Sequence, residues 1–119
     1  MVNVLIVEGD PTAADLAIRF FSYQGYDTRR ILDRNAAFFL AEANYGMVLI
    51  DFNTGGMGQD QFLDRIKAQW PEAVLVFTAF KASTGDAARL GIQYVLPKPF
   101  NVEQLTAFLV GMRLTYAKF

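Results

Sequence analysis

Residues 47–51 read Met47-Val48-Leu49-Ile50-Asp51, a continuous apolar run too short for a helix that finishes on a carboxylate. A run of this length bounded by polar residues is the pattern of a strand buried on both faces. Other runs repeat the form: Val4-Leu5-Ile6-Val7 leads into Glu8-Gly9-Asp10, Val74-Leu75-Val76-Phe77 into Thr78, and Tyr94-Val95-Leu96-Pro97 into Lys98. Helical patterns fill the intervals. Asp10-Pro11 offers an N-cap followed by proline at the first helical position. Ala14, Leu16, Ala17, Phe20 and Phe21 then carry an apolar face to a stop near Gly25, a residue suited to helix C-termini.

Tyr26 to Leu32 predicts a more polar strand near a sheet edge, and Asp33 predicts the cap of a helix through Ala43 with Phe38, Phe39 and Leu40 apolar. Phe62, Leu63, Ile66 and Trp70 mark a helix that ends before Pro71, and Ser83–Leu90 a short one weakened by Gly85. Leu105, Phe108, Leu109, Met112 and Tyr116 recur at helical spacing and predict a last helix over Val102–Tyr116. The remaining strands are predicted over 2–7, Met47–Asp51, Ala73–Phe77 and Gln93–Leu96. Five strands alternating with five helices predict an α/β fold over a single domain, 1–119: a doubly wound parallel sheet with helices on both faces. Ligands of such sheets bind outside the carboxyl ends of the strands. A carboxylate, a hydroxyl and an ammonium delivered there suit a cation and a phosphoryl group.

Composition removes whole classes of function. Hydrophobic residues make up 53% of the chain, yet no stretch approaches the roughly 20 apolar residues of a spanning helix. The N-terminus, Met1-Val2-Asn3-Val4, lacks a basic leader, so the expectation is a cytoplasmic protein without membrane attachment. Cysteine and histidine are both absent, which excludes disulfides, thiol nucleophiles, imidazole bases and imidazole metal ligands. Eleven basic residues against twelve acidic ones leave a net charge of −1, a poor basis for neutralising nucleic-acid phosphates. Arg29, Arg30 and Arg34 form a small basic cluster, read as a solvated loop face. The turn Glu8-Gly9-Asp10-Pro11 is no glycine-rich phosphate loop, which disfavours a flavin- or nucleotide-binding enzyme.

Taken together, Val7-Glu8-Gly9-Asp10-Pro11, Leu49-Ile50-Asp51, Val76-Phe77-Thr78-Ala79 and Leu96-Pro97-Lys98-Pro99-Phe100 resemble the receiver domain of bacterial response regulators in two-component signalling. The resemblance covers the whole chain. It implies a flavodoxin-like sheet of strand order 2-1-3-4-5 and a signalling phospho-acceptor rather than an enzyme. By the same resemblance, Asp51 matches the aspartate that accepts a phosphoryl group from a phosphohistidine, and Lys98 the lysine that pairs with the phosphoryl oxygens, with a cis Lys98–Pro99 bond. Thr78 matches the hydroxyl that turns inward, Ala79 the small residue that leaves it room, and Asn53 the residue whose carbonyl ligates Mg²⁺. The implied partners are a histidine kinase or phosphotransfer protein and a downstream effector domain or protein. The last helix is a candidate homodimer surface.

Departures from the family pattern fall on the metal site and the output face. The paired acids of the family align with Glu8 and Gly9, so a direct Mg²⁺ ligand is replaced by a residue with no carboxylate. A weak Mg²⁺ site of Glu8, Asp51 and Asn53 is the expectation, with Glu8 reaching inward. The loop Thr54-Gly55-Gly56-Met57-Gly58-Gln59 lacks the family's proline, which removes a restraint on φ. Val95 occupies the usual place of the switch aromatic, and Tyr94 serves as that switch only if a bulge shifts the register. Two readings follow: a receiver phosphorylated on Asp51 that remodels the face of its fourth helix, fifth strand and fifth helix, or a pseudo-receiver that binds proteins independently of phosphorylation.

Overall fold

The computed structural model describes residues 3–35, 43–80, 83, 85–86, 89–90, 92 and 94–119. Strand β1 (Asn3–Val7) leads through helix α1 (Pro11–Tyr23) to β2 (Asp27–Ile31), and β3 (Met47–Asp51) through α2 (Gln59–Gln69) to β4 (Val74–Phe80). Strand β5 (Tyr94–Lys98) and helix α3 (Val102–Thr115) complete the described elements. The helix expected between Asp33 and Ala43 falls largely outside the described residues, as does much of the one expected over Ser83–Leu90. All strand pairs are parallel, in the order β2-β1-β3-β4-β5.

Local chemistry explains where the elements start and stop. Asp10 caps α1, its carboxylate accepting from Thr12 N at 3.4 Å and Ala13 N at 3.2 Å, with Pro11 next. Gly25 closes that connection at φ +94°, a backbone that side chains with a Cβ resist. Asn101 and Gln104 exchange side-chain and backbone hydrogen bonds at 2.8 and 2.9 Å in a reciprocal cap at the start of α3. Strand β4 runs on to Phe80 and β5 to Lys98, past the ends expected at Phe77 and Leu96. Pro97 stays in β5 because β5 is an edge strand, with one side that needs no ladder partner.

The sheet is a partition between apolar layers. Leu5, Val7, Val48, Ile50, Phe77 and Ala79 face α2, against Phe62, Leu63, Ile66 and Trp70. Val4, Ile6, Met47, Leu49, Val76 and Leu96 face α1 and α3, against Phe20, Phe21, Leu105, Leu109 and Met112. Each buried Leu, Ile or Phe contributes roughly 1.5–3 kcal/mol. Alternation along each strand therefore fixes which face every residue beyond the strand end can reach.

Candidate functional site

Pleat parity brings the polar strand-end residues together. Asp51 follows Met47 and Leu49 on the face of α1 and α3, Thr78 follows Val74 and Val76, and Lys98 follows Tyr94 and Leu96. Glu8 extends the same alternation from Val4 and Ile6, its N–H donating to Ile31 O at 3.0 Å so that the ladder continues one residue past β1. Asp51 and Thr78 are direct register partners on β3 and β4. Four residues spread along the sequence thus converge at the carboxyl edge of neighbouring strands.

Lys98 is the hub. Its Nζ donates to Glu8 Oε1 at 2.6 Å and lies 3.5 Å from Asp51 Oδ1, with both Lys98 and Glu8 side chains 4% exposed. At ordinary strand spacing β5 and β1 lie about 14 Å apart, so the long lysine and the extra methylene of glutamate are both needed to close the gap. The exposed ring of Phe80 lies 5.2 Å from the ammonium. Burial pushes the Glu8 carboxyl up; the Lys98 hydrogen bond and the Asp10 N–H, 3.2 Å from Oε2, pull it back down, while Asp51 adds to the rise. Arg30 fastens the same turn from β2, donating to Glu8 O at 3.1 Å and Gly9 O at 3.3 Å.

The other expected residues are placed as follows. The Asn53 N–H donates to Asp51 Oδ1 at 3.3 Å. Thr78 is buried beside Asp51, its carbonyl accepting from Phe52 N at 2.8 Å, and Ala79 is fully buried on the opposite, α2 face. Lys98–Pro99 is cis. Tyr94 is not carried to the face of Val95. The β4–β5 register runs unbroken from Val76–Tyr94 to Phe80–Lys98, so no bulge intervenes. Instead Tyr94 packs on the α3 side and shares a hydrogen bond with the Tyr116 hydroxyl at 3.0 Å.

One residue read as solvated is buried. Arg34 is 8% exposed, while Arg29 is exposed and Arg30 half-buried. The Arg34 guanidinium donates from Nη2 to Thr54 O, and its backbone N–H donates to Gly55 O at 3.0 Å. Asn35 Oδ1 accepts from Met57 N at 3.0 Å. At Gly56, φ +104°, an added Cβ would stand 3.1 Å from Asn35 N, 3.2 Å from Arg34 N and 3.3 Å from Arg34 Cβ. The glycine-rich loop after Asp51 is thus pinned by neighbours where the family uses proline. Position was the available signal: Arg34 follows β2 at the same carboxyl edge as the other polar residues.

These groups fit a divalent cation poorly. Mg²⁺ requires a near-octahedral shell of oxygens at about 2.0–2.1 Å. Both Glu8 oxygens already accept hydrogen bonds, from Lys98 and from Asp10 N, leaving Asp51 and the Asn53 carbonyl. Among the described residues no group of three acidic, histidine or cysteine side chains could hold a metal. Gly9 is no steric necessity: an added Cβ would meet only Leu32 O, at an ordinary 3.6 Å.

Comparison with known proteins agrees with this fold. The family model of the response regulator receiver domain matches residues 4–110, and the chain belongs to that family, a class of signalling phospho-acceptors. It is 32% identical over 120 residues to the transcriptional regulatory protein MalR of Bacillus subtilis, covering 95% of this chain and 51% of MalR. The chain therefore spans about half the length of that curated relative. The chemotaxis response regulator CheY4 of Vibrio cholerae superposes with a TM-score of 0.79 at 21% identity, over 92% of this chain and 96% of CheY4. A response regulator of Burkholderia pseudomallei, solved with a phosphorylated aspartic acid, a calcium ion and citrate, superposes with a TM-score of 0.73 at 22% identity, over 90% and 65% of the two chains. Among the described residues no helix is long and apolar enough to cross a membrane.

Proposed function

We propose that Asp51 accepts a phosphoryl group from a partner's phosphohistidine and that the resulting change at the sheet edge alters a protein-binding face. In the step, an Asp51 carboxylate oxygen attacks phosphorus, a P–O bond forms as the P–N bond breaks, and the departing imidazole nitrogen keeps the electron pair and takes a proton. The product is an acyl phosphate. Catalysis of such a transfer is positioning plus neutralisation of charge on the equatorial oxygens. Lys98, 3.5 Å from Asp51 Oδ1 in a buried setting, is the observation that carries the reading. Its ammonium turns from Glu8 toward the incoming oxygens, and Thr78 hydrogen-bonds one of them.

This chain contains no histidine, so the donor is another protein or segment: a histidine kinase or phosphotransfer protein. The output is a cytoplasmic effector domain or protein, in keeping with MalR being a transcriptional regulator of about twice this length. Mg²⁺ binds weakly, through Asp51 and the Asn53 carbonyl, because Glu8 is committed to Lys98. Incubation with acetyl phosphate followed by peptide mass spectrometry tests the reading. A phosphoryl adduct on Asp51, absent from Asp51→Asn, is the expected result; no adduct at any Mg²⁺ concentration would overturn it in favour of a phosphorylation-independent binding module.

A further inference from the structure

Arg34 presents more cation than its visible contacts use. The residue is over nine-tenths buried, yet among the described residues only Nη2 of its side chain has a hydrogen-bond partner, the Thr54 carbonyl. Nε and Nη1 are buried without one. Burial draws the guanidinium below its ordinary pKa and the negative charge of Asp51 draws it back up; arginine stays protonated through such shifts. Buried, unpartnered donors on a charged group are costly. A tie to one carbonyl could be made by a neutral amide, so the loop contact alone does not account for a guanidinium here.

Charge balance supplies the missing reason. Arg34 is held to the Thr54 carbonyl, and the Thr54 hydroxyl donates to Asp51 O at 2.9 Å, so Glu8 and Asp51 bring two negative charges to this edge and Lys98 and Arg34 two positive ones. The group is neutral without a divalent ion, at the same place where Gly9 withholds the carboxylate that a firmly held ion would need. We propose that Arg34 is a built-in cation of the acceptor site, offsetting the charge of Asp51 and of the phosphoryl group it receives, in place of most of the work of a divalent metal. The proposal rests on Asp51 being the acceptor. It makes Arg34 a positioning and charge-neutralising residue whose free donors are satisfied when the phosphoryl oxygens arrive.

The test compares wild type with Arg34→Met, which keeps the bulk and loses the charge, and with Arg34→Lys. Metal binding is measured first, by titrating Mg²⁺ or Mn²⁺ calorimetrically with no phosphoryl donor. Asp51 phosphorylation by acetyl phosphate is then followed in EDTA and in rising Mg²⁺. Wild type is expected to react in EDTA. Arg34→Met should bind metal more tightly yet react roughly ten- to a hundredfold more slowly in EDTA, the factor a hydrogen bond to a charged group is worth. Added Mg²⁺ should recover part of that loss, and Arg34→Lys should lie between. Parallel loss of metal binding and rate, or unchanged metal affinity, would overturn the proposal and leave Arg34 a loop tie. Should Arg34→Met fail to fold by urea denaturation, Arg34→Gln, which can still donate to Thr54, carries the same comparison. If wild type is never phosphorylated, the acceptor reading fails by itself, while tighter metal binding in the variant still supports the charge role of Arg34.

Discussion

Glu8 and Lys98 decide the site at the scale of single residues. Each is 4% exposed and each is the other's shortest contact, at 2.6 Å. A buried ion pair adds little over a packed apolar pair, but removing one partner leaves an uncompensated charge and costs about 3–5 kcal/mol. Lys98→Met is therefore expected to lower the urea-denaturation stability at neutral pH by that amount and to abolish phosphorylation of Asp51. Adding Glu8→Gln should restore most of the stability and none of the phosphorylation. Equal instability in the single and double variants would show that Lys98 supports the fold through its stem rather than its charge. The inward reach of Glu8 was legible in the sequence, since a glutamate stands where a shorter acid is usual. Its commitment to Lys98 was not, because that contact joins residues 90 positions apart.

Among the elements, the strands were read more surely than their ends. Continuous apolar runs named β1, β3, β4 and β5, but β4 and β5 extend through Thr78–Phe80 and Pro97–Lys98, where polar residues and proline obscure the pattern. Ladder pairing with a neighbouring strand overrides local propensity there. Register also decides Tyr94, which the unbroken β4–β5 ladder directs to the end of α3. Its hydrogen bond with Tyr116, aided by burial, raises the Tyr94 phenol above the ordinary 10.0. A phenol held more tightly in the folded state stabilises it fully below the unfolded pKa of 10.0, and that contribution is lost as pH rises through the higher folded value. Tyr116→Phe should return the Tyr94 titration toward 10.0 in alkaline difference spectra. The stability gap between wild type and variant should stay constant up to pH 10.0 and narrow above it; a gap independent of pH would place the effect in ring packing, since the rings also meet edge to face at 6.4 Å.

For the whole molecule, the parallel sheet of order β2-β1-β3-β4-β5 gathers one edge from distant segments. Alternating order and strand-end chemistry made this assembly readable. Arg34 was missed because a polar second strand and the residues after it carry no periodicity to mark a buried side chain. A ligand that bridges this edge binds the folded chain and not the unfolded one, so it raises the midpoint of thermal unfolding in proportion to its affinity. The wild type, with Glu8 engaged by Lys98, should gain little from millimolar Mg²⁺. Gly9→Asp adds a carboxylate at an exposed position where the new Cβ meets only Leu32 O at 3.6 Å. Without metal it sets another negative charge near Glu8 and Asp51, and the midpoint should fall slightly. With Mg²⁺ it should rise above wild type, by about 2.7 kcal/mol of added stability once the ion stands near a hundred times its dissociation constant. An unchanged Mg²⁺ response would show that position 9 does not reach the ion, and that the missing acid is not what keeps metal binding weak.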